Sequence, residues 1–271
     1  MWPSTAITGA ELTPGNSTYP EFMPTVRRLE AAGLRAWPAT SVQYDGAWVV
    51  RLTAGYPSNR LNSVNTLDPG DVRDIERRIA RAERQFAAYG RRLTFRVTPL
   101  TGALLWERFD AEGWDRFDES RVMTVDLDNL DFDNVMDQIP GKDVARYTAA
   151  SMATQGLDQS NRAGLSEVIG AIHGEVGMFV AEQAGLAISN ALCVHEGDLA
   201  GLFNLATANA RRNEGHARRL LMAALKWARL RGARHAWLQV TAENAPAGRL
   251  YESIGFQEVY RYHFRRQPAH D

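Results

Sequence analysis

"ARRNEGHARRLL" occupies residues 210–221 and sets one glycine between basic residues at the mouth of a helix. Leu220, Leu221, Ala224, Leu225 and Ala228 recur at helical spacing up to Gly232, which predicts a long helix opening beside Gly215. A helix start ordinarily carries Ser, Thr, Asp or Asn, because its first amides have no partner within the helix. Asn213 could serve as that cap. The other reading leaves the amides bare for an anion from outside the chain. Glycine removes side-chain bulk, the helix dipole contributes about 0.3–2 kcal/mol, and charge-assisted bonds could come from Arg212, Arg218 and Arg219. The pattern R-x-x-G-x-A is weak alone, so its neighbours decide.

Upstream lie helical candidates at 143–155 and 162–174, then three strand-like runs, "GMFVAEQ", "LAISNALCVHEG" and "LAGLFNLATA". Downstream come the strand "RHAWLQVT", the helix "APAGRLYESIGF" and a closing strand "EVYRYHFRR". An acidic, Pro/Gly-terminated stretch at 126–141 reads as a linker. Before it, five of the eleven prolines fall in the first forty residues, an irregular lead-in around a short helix at 24–33. "AWVVRLTAG" (47–55) has strand content, and "YPSNRLNSVNTLDPGD" (56–71) reads as a polar, turn-rich loop. A helix is expected from Asp71 to Gly90, a strand at 92–99, a helix at 101–114 and a strand at 120–127.

The two halves rhyme. "GRRLTFRVTPLTGALLWERFDAEGW" (90–114) matches "GARHAWLQVTAENAPAGRLYESIGF" (232–256): a glycine stop, a strand ending Val-Thr, then a helix ending Gly-aromatic. Such self-similarity is the signature of an internal duplication. In this match Phe109 stands where Tyr251 stands in the second half.

The formal net charge of -1 does not indicate a general affinity for nucleic acid. Charge is unevenly spread: 12 basic against 5 acidic residues from Arg211 onward, and 4 against 12 between Glu107 and Asp143, where solvated faces are the ordinary reading. A lone Cys193 excludes an internal disulfide and a multi-cysteine zinc site, and six scattered histidines show no metal-ligand spacing. The first thirty residues lack the apolar run of a signal peptide, and no later run approaches membrane-spanning length. A cytoplasmic protein without metal, nucleic acid or membrane partner is expected, as a monomer or homodimer.

The ordered set Arg212, Gly215, Ala217, then Asn244, Leu250-Tyr251 and Gly255-Phe256 resembles the GCN5-related N-acetyltransferases, the GNAT family. The resemblance covers about residues 140–271, and "WVVRLTAGYPSNRLNSVN" also looks like a segment of bacterial tandem GNAT proteins. It implies an α/β fold of α+β type, with two mixed twisted sheets flanked by helices in tandem. Residues 1–127 would form a degenerate GNAT-like half and residues 128–271 the catalytic one. It further implies acetyl-CoA as acyl donor. The pantetheine arm would run along Leu205, Ala206 and Thr207, with the pyrophosphate on amides of Asn213, Glu214, Gly215, His216 and Ala217 beside Arg212. His216 and Asn209 depart from the family's commoner residues, and His216 reads as an incidental loop side chain.

Tyr251 carries two readings, a helix aromatic packed near the sheet or the family's general acid for the departing thiolate. A phenol near pKa ~10 can donate to a thiolate of a thiol near ~8.5. Asn244 would hold the cofactor arm or simply cap its helix. An amine acceptor near pKa ~10.4 needs about 4.6 kcal/mol to deprotonate at neutral pH, so a base or water chain is expected. Glu196 and Asp198, in the turn before the acyl-binding strand, are candidates for it. Cys193, with no partner base, does not suggest a covalent route. The expected function is N-acetyl transfer from acetyl-CoA to a primary amine by direct attack. A non-catalytic acyl-CoA-binding or sensing protein, or an acyltransferase using a longer acyl donor, is the alternative.

Overall fold

The first half of the chain, in a computed structural model that describes residues 22–268, runs α1 (Met23–Ala36), β1 (Ser41–Asp45), β2 (Trp48–Leu52), β3 (Ser63–Thr66), α2 (Ile75–Ala88), β4 (Thr94–Val97), α3 (Ala103–Ala111) and β5 (Asp115–Asp126). Then follow α4 (Val144–Gln155), α5 (Arg162–Gly170), β6 (Glu175–Gln183), β7 (Leu186–Glu196) and β8 (Leu199–Thr207). The chain closes with α6 (His216–Arg229), β9 (His235–Thr241), α7 (Ala245–Ile254) and β10 (Gln257–Arg266). Of the proline-rich lead-in, residues 1–21 lie outside the described residues. The helix expected at 24–33 is there and runs on to Ala36.

All ten strands form one sheet, in the order β1-β2-β3-β4-β10-β5-β9-β8-β7-β6. This corrects the expectation of two sheets, and the reason lies in the last strand of each half. β10 inserts between β4 and β5, pairing antiparallel with both, and β5 pairs antiparallel with β9. Exchanging β1–β5 for β6–β10 leaves the order unchanged when it is read from the other edge. The pairing senses obey the same exchange: β3 runs parallel to β4, as β8 does to β9. The matched segments 90–114 and 232–256 both fold as strand then helix. A duplicated unit that ends in a strand can complete its sheet with its twin's strand, and here both do.

Alternation along the strands sends side chains to opposite faces. Met178, Leu192 and Trp237 join one cluster with Leu29 of α1 and Tyr147 of α4. Phe179, Cys193 and Leu238 join another with Leu221, Leu225 and Ile254 of α6 and α7. Trp48, Phe95, Phe109 and Phe86 make a third, beneath α2 and α3. The stripe Leu220, Leu221, Ala224, Leu225 and Ala228 expected on α6 is buried throughout. α7 starts on Asn244, whose side chain accepts from the Ala247 amide at 3.2 Å, and stops at Gly255, whose φ of +111° suits a residue without Cβ.

β3 is the main departure from the sequence reading. The stretch 56–71 contains a buried strand whose Ser63, Asn65 and Thr66 are polar. Most of its polar groups are satisfied locally, for example by the 2.9 Å bond between the Thr66 and Thr101 hydroxyls, whereas the Asn65 side-chain oxygen is left without a partner among the described residues. A strand of that composition gives no apolar signal.

Candidate active site

β8 and β9 pair in parallel only from Leu199↔His235 to Leu202↔Leu238. Beyond that point β8 continues to Thr207 and β9 to Thr241, so the strands separate and leave an edge of β8 without a ladder partner. β8 also bulges there: Leu192 faces Phe203 while Asn190 faces Ala206, and Asn204 adopts φ +49°. Asn190, buried on β7, fixes the bulge by donating to the Asn204 carbonyl at 2.6 Å and to the Tyr147 hydroxyl at 3.1 Å. The Ser189 hydroxyl donates to the Ala206 carbonyl at 2.7 Å and shares a 3.0 Å bond with the Thr207 hydroxyl.

A cavity of about 220 Å³ occupies this fork, lined among others by Arg60, Phe203, Asn204, Leu205, Gln239, Asn244 and Tyr251. Tyr251 is 8 % exposed and packs edge-on against Phe256. Among the described residues its hydroxyl has no hydrogen-bond partner. Burial pushes it up to about 12, opposed by the nearby positive charge of Arg60. The Asn204 side-chain nitrogen is buried and unpartnered too. A buried unpartnered amide beside a phenol without a partner marks a place where a ligand could complete the bonding.

The loop into α6 follows the bare-amide reading. Its N-cap is Gly215 at φ +77°, with no side-chain cap, and Asn213 (φ +65°) does not cap it. Side chains around the loop bond to one another instead. Arg211 holds Glu214 at 2.7 Å, and His216 lies between Glu214 and Arg219 at 2.9 Å from each. Bonds from Arg211, then from His216, hold the Glu214 carboxyl down to about 2. Arg218 turns to the Ser253 hydroxyl at 2.8 Å, whereas Arg212 is exposed. With Ala217 in its first turn, α6 therefore presents an uncovered N-terminus close along the chain to the open end of β8.

The sequence candidates thus divide. Leu205, Asn244 and Tyr251 line one cavity, with Ala206 and Thr207 on the adjoining β8 edge and Arg212–Ala217 at the uncapped helix start. Glu196 stands apart. It ends β7, roughly 25 Å along β8 from Thr207 at about 3.3 Å per residue, and is ion-paired with Arg35 at 2.7 Å. Asp198 is likewise paired, with Arg28. Cys193 is fully buried, and burial raises its thiol to about 12. Sequence reasoning missed Asn190 and Asn204, whose signal was asparagine in strand interiors, where it is disfavoured. It also missed Arg60 and Gln239, which no local pattern links to the site. No carboxylate or histidine among the described residues lines the cavity. Among the described residues no cluster of His, Cys, Asp or Glu could hold a metal, and no helix is long and apolar enough to cross a membrane.

The profile of the family described as "Probable histone acetyltransferase Rv0428c C-terminal" matches residues 24–265. The chain belongs to that acetyltransferase family. It is 23 % identical over 252 residues to "Uncharacterized N-acetyltransferase YobR" of Bacillus subtilis, covering 90 % of this chain and 99 % of that protein. The GCN5-related N-acetyltransferase of Kribbella flavida superposes with a TM-score of 0.63 at 16 % identity, over 90 % of this chain and 96 % of that one. A tandem GNAT protein from the clavulanic acid biosynthesis pathway does so with a TM-score of 0.58 at 15 % identity, over 90 % and 89 % of the two chains. These two structural likenesses establish the shared fold. The acyltransferase class of this chain follows from its family.

Proposed function

We propose that the chain transfers an acetyl group from acetyl-CoA to a primary amine by direct attack, with residues 128–271 carrying the chemistry and residues 1–127 a degenerate half. The observation that carries this reading is the fork between β8 and β9, with the unpartnered Tyr251 hydroxyl inside it and the uncapped α6 near its open end. The free edge of Leu205–Thr207 suits the amide groups of a pantetheine arm. The amides of Asn213–Ala217 and the positive end of α6 suit a pyrophosphate, with Arg212 in reach of solvent-facing phosphate oxygens. Asn244 spends its side-chain oxygen on capping α7, which leaves its amide nitrogen for the arm.

In the reaction the amine nitrogen forms a bond to the thioester carbon and the carbon–sulfur bond breaks. The electron pair leaves with sulfur, and Tyr251 donates its proton there as the charge develops. Burial keeps Tyr251 protonated at any working pH but also makes it a weaker acid. Its contribution is therefore at the low end of general-acid effects. With no carboxylate or histidine among the described residues that line the cavity, the amine enters neutral, and the proton that its nitrogen sheds after attack leaves through water, which restores the Tyr251 phenol.

The test is incubation with acetyl-CoA and an amine panel, following free thiol and acetylated product together. Equal amounts of both are expected. Thiol release without acetylated amine would make the protein a hydrolase, and tight binding without either would make it a sensor.

A further inference from the structure

A recess of about 20 Å³ adjoins the acyl cavity, and Arg60, Phe203 and Gln239 line both. Its remaining polar walls come from the first half of the chain: Glu30, Arg51 and Arg96. Among the described residues, three guanidinium groups therefore face one carboxylate. That carboxylate is committed, because Glu30 accepts from both Arg96 and the Tyr260 hydroxyl. Arg96 is 5 % exposed, lies over the Tyr262 ring at 3.8 Å, and leaves one terminal nitrogen with no hydrogen-bond partner. Arg51 is 4 % exposed and, among the described residues, donates to the backbone carbonyls of Arg60 and Trp37 alone. Arg60 donates to the Tyr262 hydroxyl at 2.8 Å. Burial, then the neighbouring charge of Arg96, lowers Arg51 to about 9.

Buried positive charge without a counter-ion is costly, and a ligand that brings the missing negative charge offsets that cost. We infer that this recess takes the carboxylate of the acceptor, so that the acceptor is an amino-acid-like compound whose amine reaches the acyl cavity past Arg60 and Phe203. The inference rests on the acetyl-transfer reading for what happens to that amine. The size is consistent with it. About 20 Å³ holds little more than one water-sized group, which suits the end of a carboxylate and not a phosphate ester. A lysine in a strongly cationic peptide would meet the same field with the unfavourable sign. The arginines also disfavour an ammonium ion beside them, which helps the amine arrive unprotonated where no base lines the cavity.

The test compares ω-amino acids from glycine to 6-aminohexanoate with their primary amides, alongside a lysine-rich peptide. Initial rates with acetyl-CoA give kcat/KM. Thermal unfolding with each compound alone reports binding independently of transfer. One chain length should be preferred, and its carboxylate form should exceed its amide by at least tenfold and raise the unfolding temperature more. Arg51→Gln should shrink the carboxylate-to-amide ratio at least tenfold, with circular dichroism and acetyl-CoA affinity reporting that the fold and donor site persist. Arg51→Lys, which keeps the charge, should retain most of the ratio. If amides or the lysine-rich peptide are better acceptors, or if Arg51→Gln leaves the ratio intact, the carboxylate recess is wrong while acetyl transfer stands. If nothing is acetylated yet the amino acids still stabilise wild type and not Arg51→Gln, the recess stands and the transfer reading falls.

Discussion

Helix α6 begins on Gly215 and α2, its counterpart in the first half, on Asp74; neither start has a side-chain cap, but the carboxylate ahead of each is held differently. Asp71 lies just before α2, accepting from the Ala47 amide at 2.7 Å and from the buried Arg78 at 3.0 Å. Those bonds, the Ala47 amide first, hold Asp71 below the usual carboxylate range. The first half thus ties its carboxylate to a buried arginine, whereas Glu214 of the second stays at the surface on Arg211 and His216. The strand forks differ in the same sense. β3 and β4 each run one residue past their last parallel pair, Asn65↔Arg96, and the Thr66–Thr101 bond ties their exits together. Phe109, fully buried, packs at 5.0 Å from Phe95 and 4.8 Å from Trp114. One duplicated frame has become a filled core on one side and a ligand fork on the other.

The loop contrast is broken most severely by Gly215→Glu, which adds a carboxylate at the bare helix start and a Cβ at a φ of +77°. Acetyl-CoA affinity should fall roughly a hundredfold, about 2.7 kcal/mol, by calorimetry. Gly215→Ala separates the backbone strain from the charge and should cost far less affinity. An unchanged affinity in folded Gly215→Glu removes the loop from the donor site.

Next in size is the Tyr251/Phe109 contrast. Tyr251→Phe keeps the ring and its packing, so turnover should drop about tenfold to a hundredfold with acetyl-CoA affinity nearly intact. The mirror change, Phe109→Tyr, puts a hydroxyl into a filled core and should cost about 1–3 kcal/mol in denaturant unfolding with no change in turnover. Full turnover in Tyr251→Phe would return that residue to a purely structural role.

The seam between the halves titrates. His263 of β10 pairs opposite Val97 of β4, is 2 % exposed, and has an unpartnered ring nitrogen. Burial, then the charges of Arg116 and Arg265, lowers its pKa to about 3. Between its ordinary value and that one, the unfolded chain binds a proton that the folded chain refuses. Stability is therefore full above about pH 6.5 and declines as pH falls, by up to about 1.4 kcal/mol per pH unit. His263→Phe should flatten this slope in denaturant titrations at mildly acidic pH, and an unchanged slope would place the acid sensitivity elsewhere. The smallest effect is expected at Glu196, where Glu196→Gln should leave turnover within about twofold and cost no more than about 1 kcal/mol, as exposed ion pairs do. A large loss of turnover there would revive it as the base.

Local patterns in the sequence reached the second half well. Gly215, Asn244 and Tyr251 each sit within an element whose periodicity and stop signals are strong, and spacing along one chain segment relates them. β3 was illegible because its burial is polar, and polar residues in a row read as a loop. The recess was illegible for a different reason. Arg51, Arg60 and Arg96 meet Gln239 and Phe203 only because β10 carries the two halves into one sheet, and residues so far apart share no local period. The single sheet itself left no trace in composition, since a strand looks the same whether it pairs with its own half or with its twin's.

The position of β10 also imposes a timetable on synthesis. Val97 meets His263, 166 residues later in the chain, and at about 5–20 residues per second a ribosome needs roughly 8–33 s to supply it. Throughout that interval β4 presents one edge with no native neighbour, the kind of edge that recruits foreign strands. The emerging chain must shield β4 by other means, or leave this part of the sheet loose until its last strand arrives.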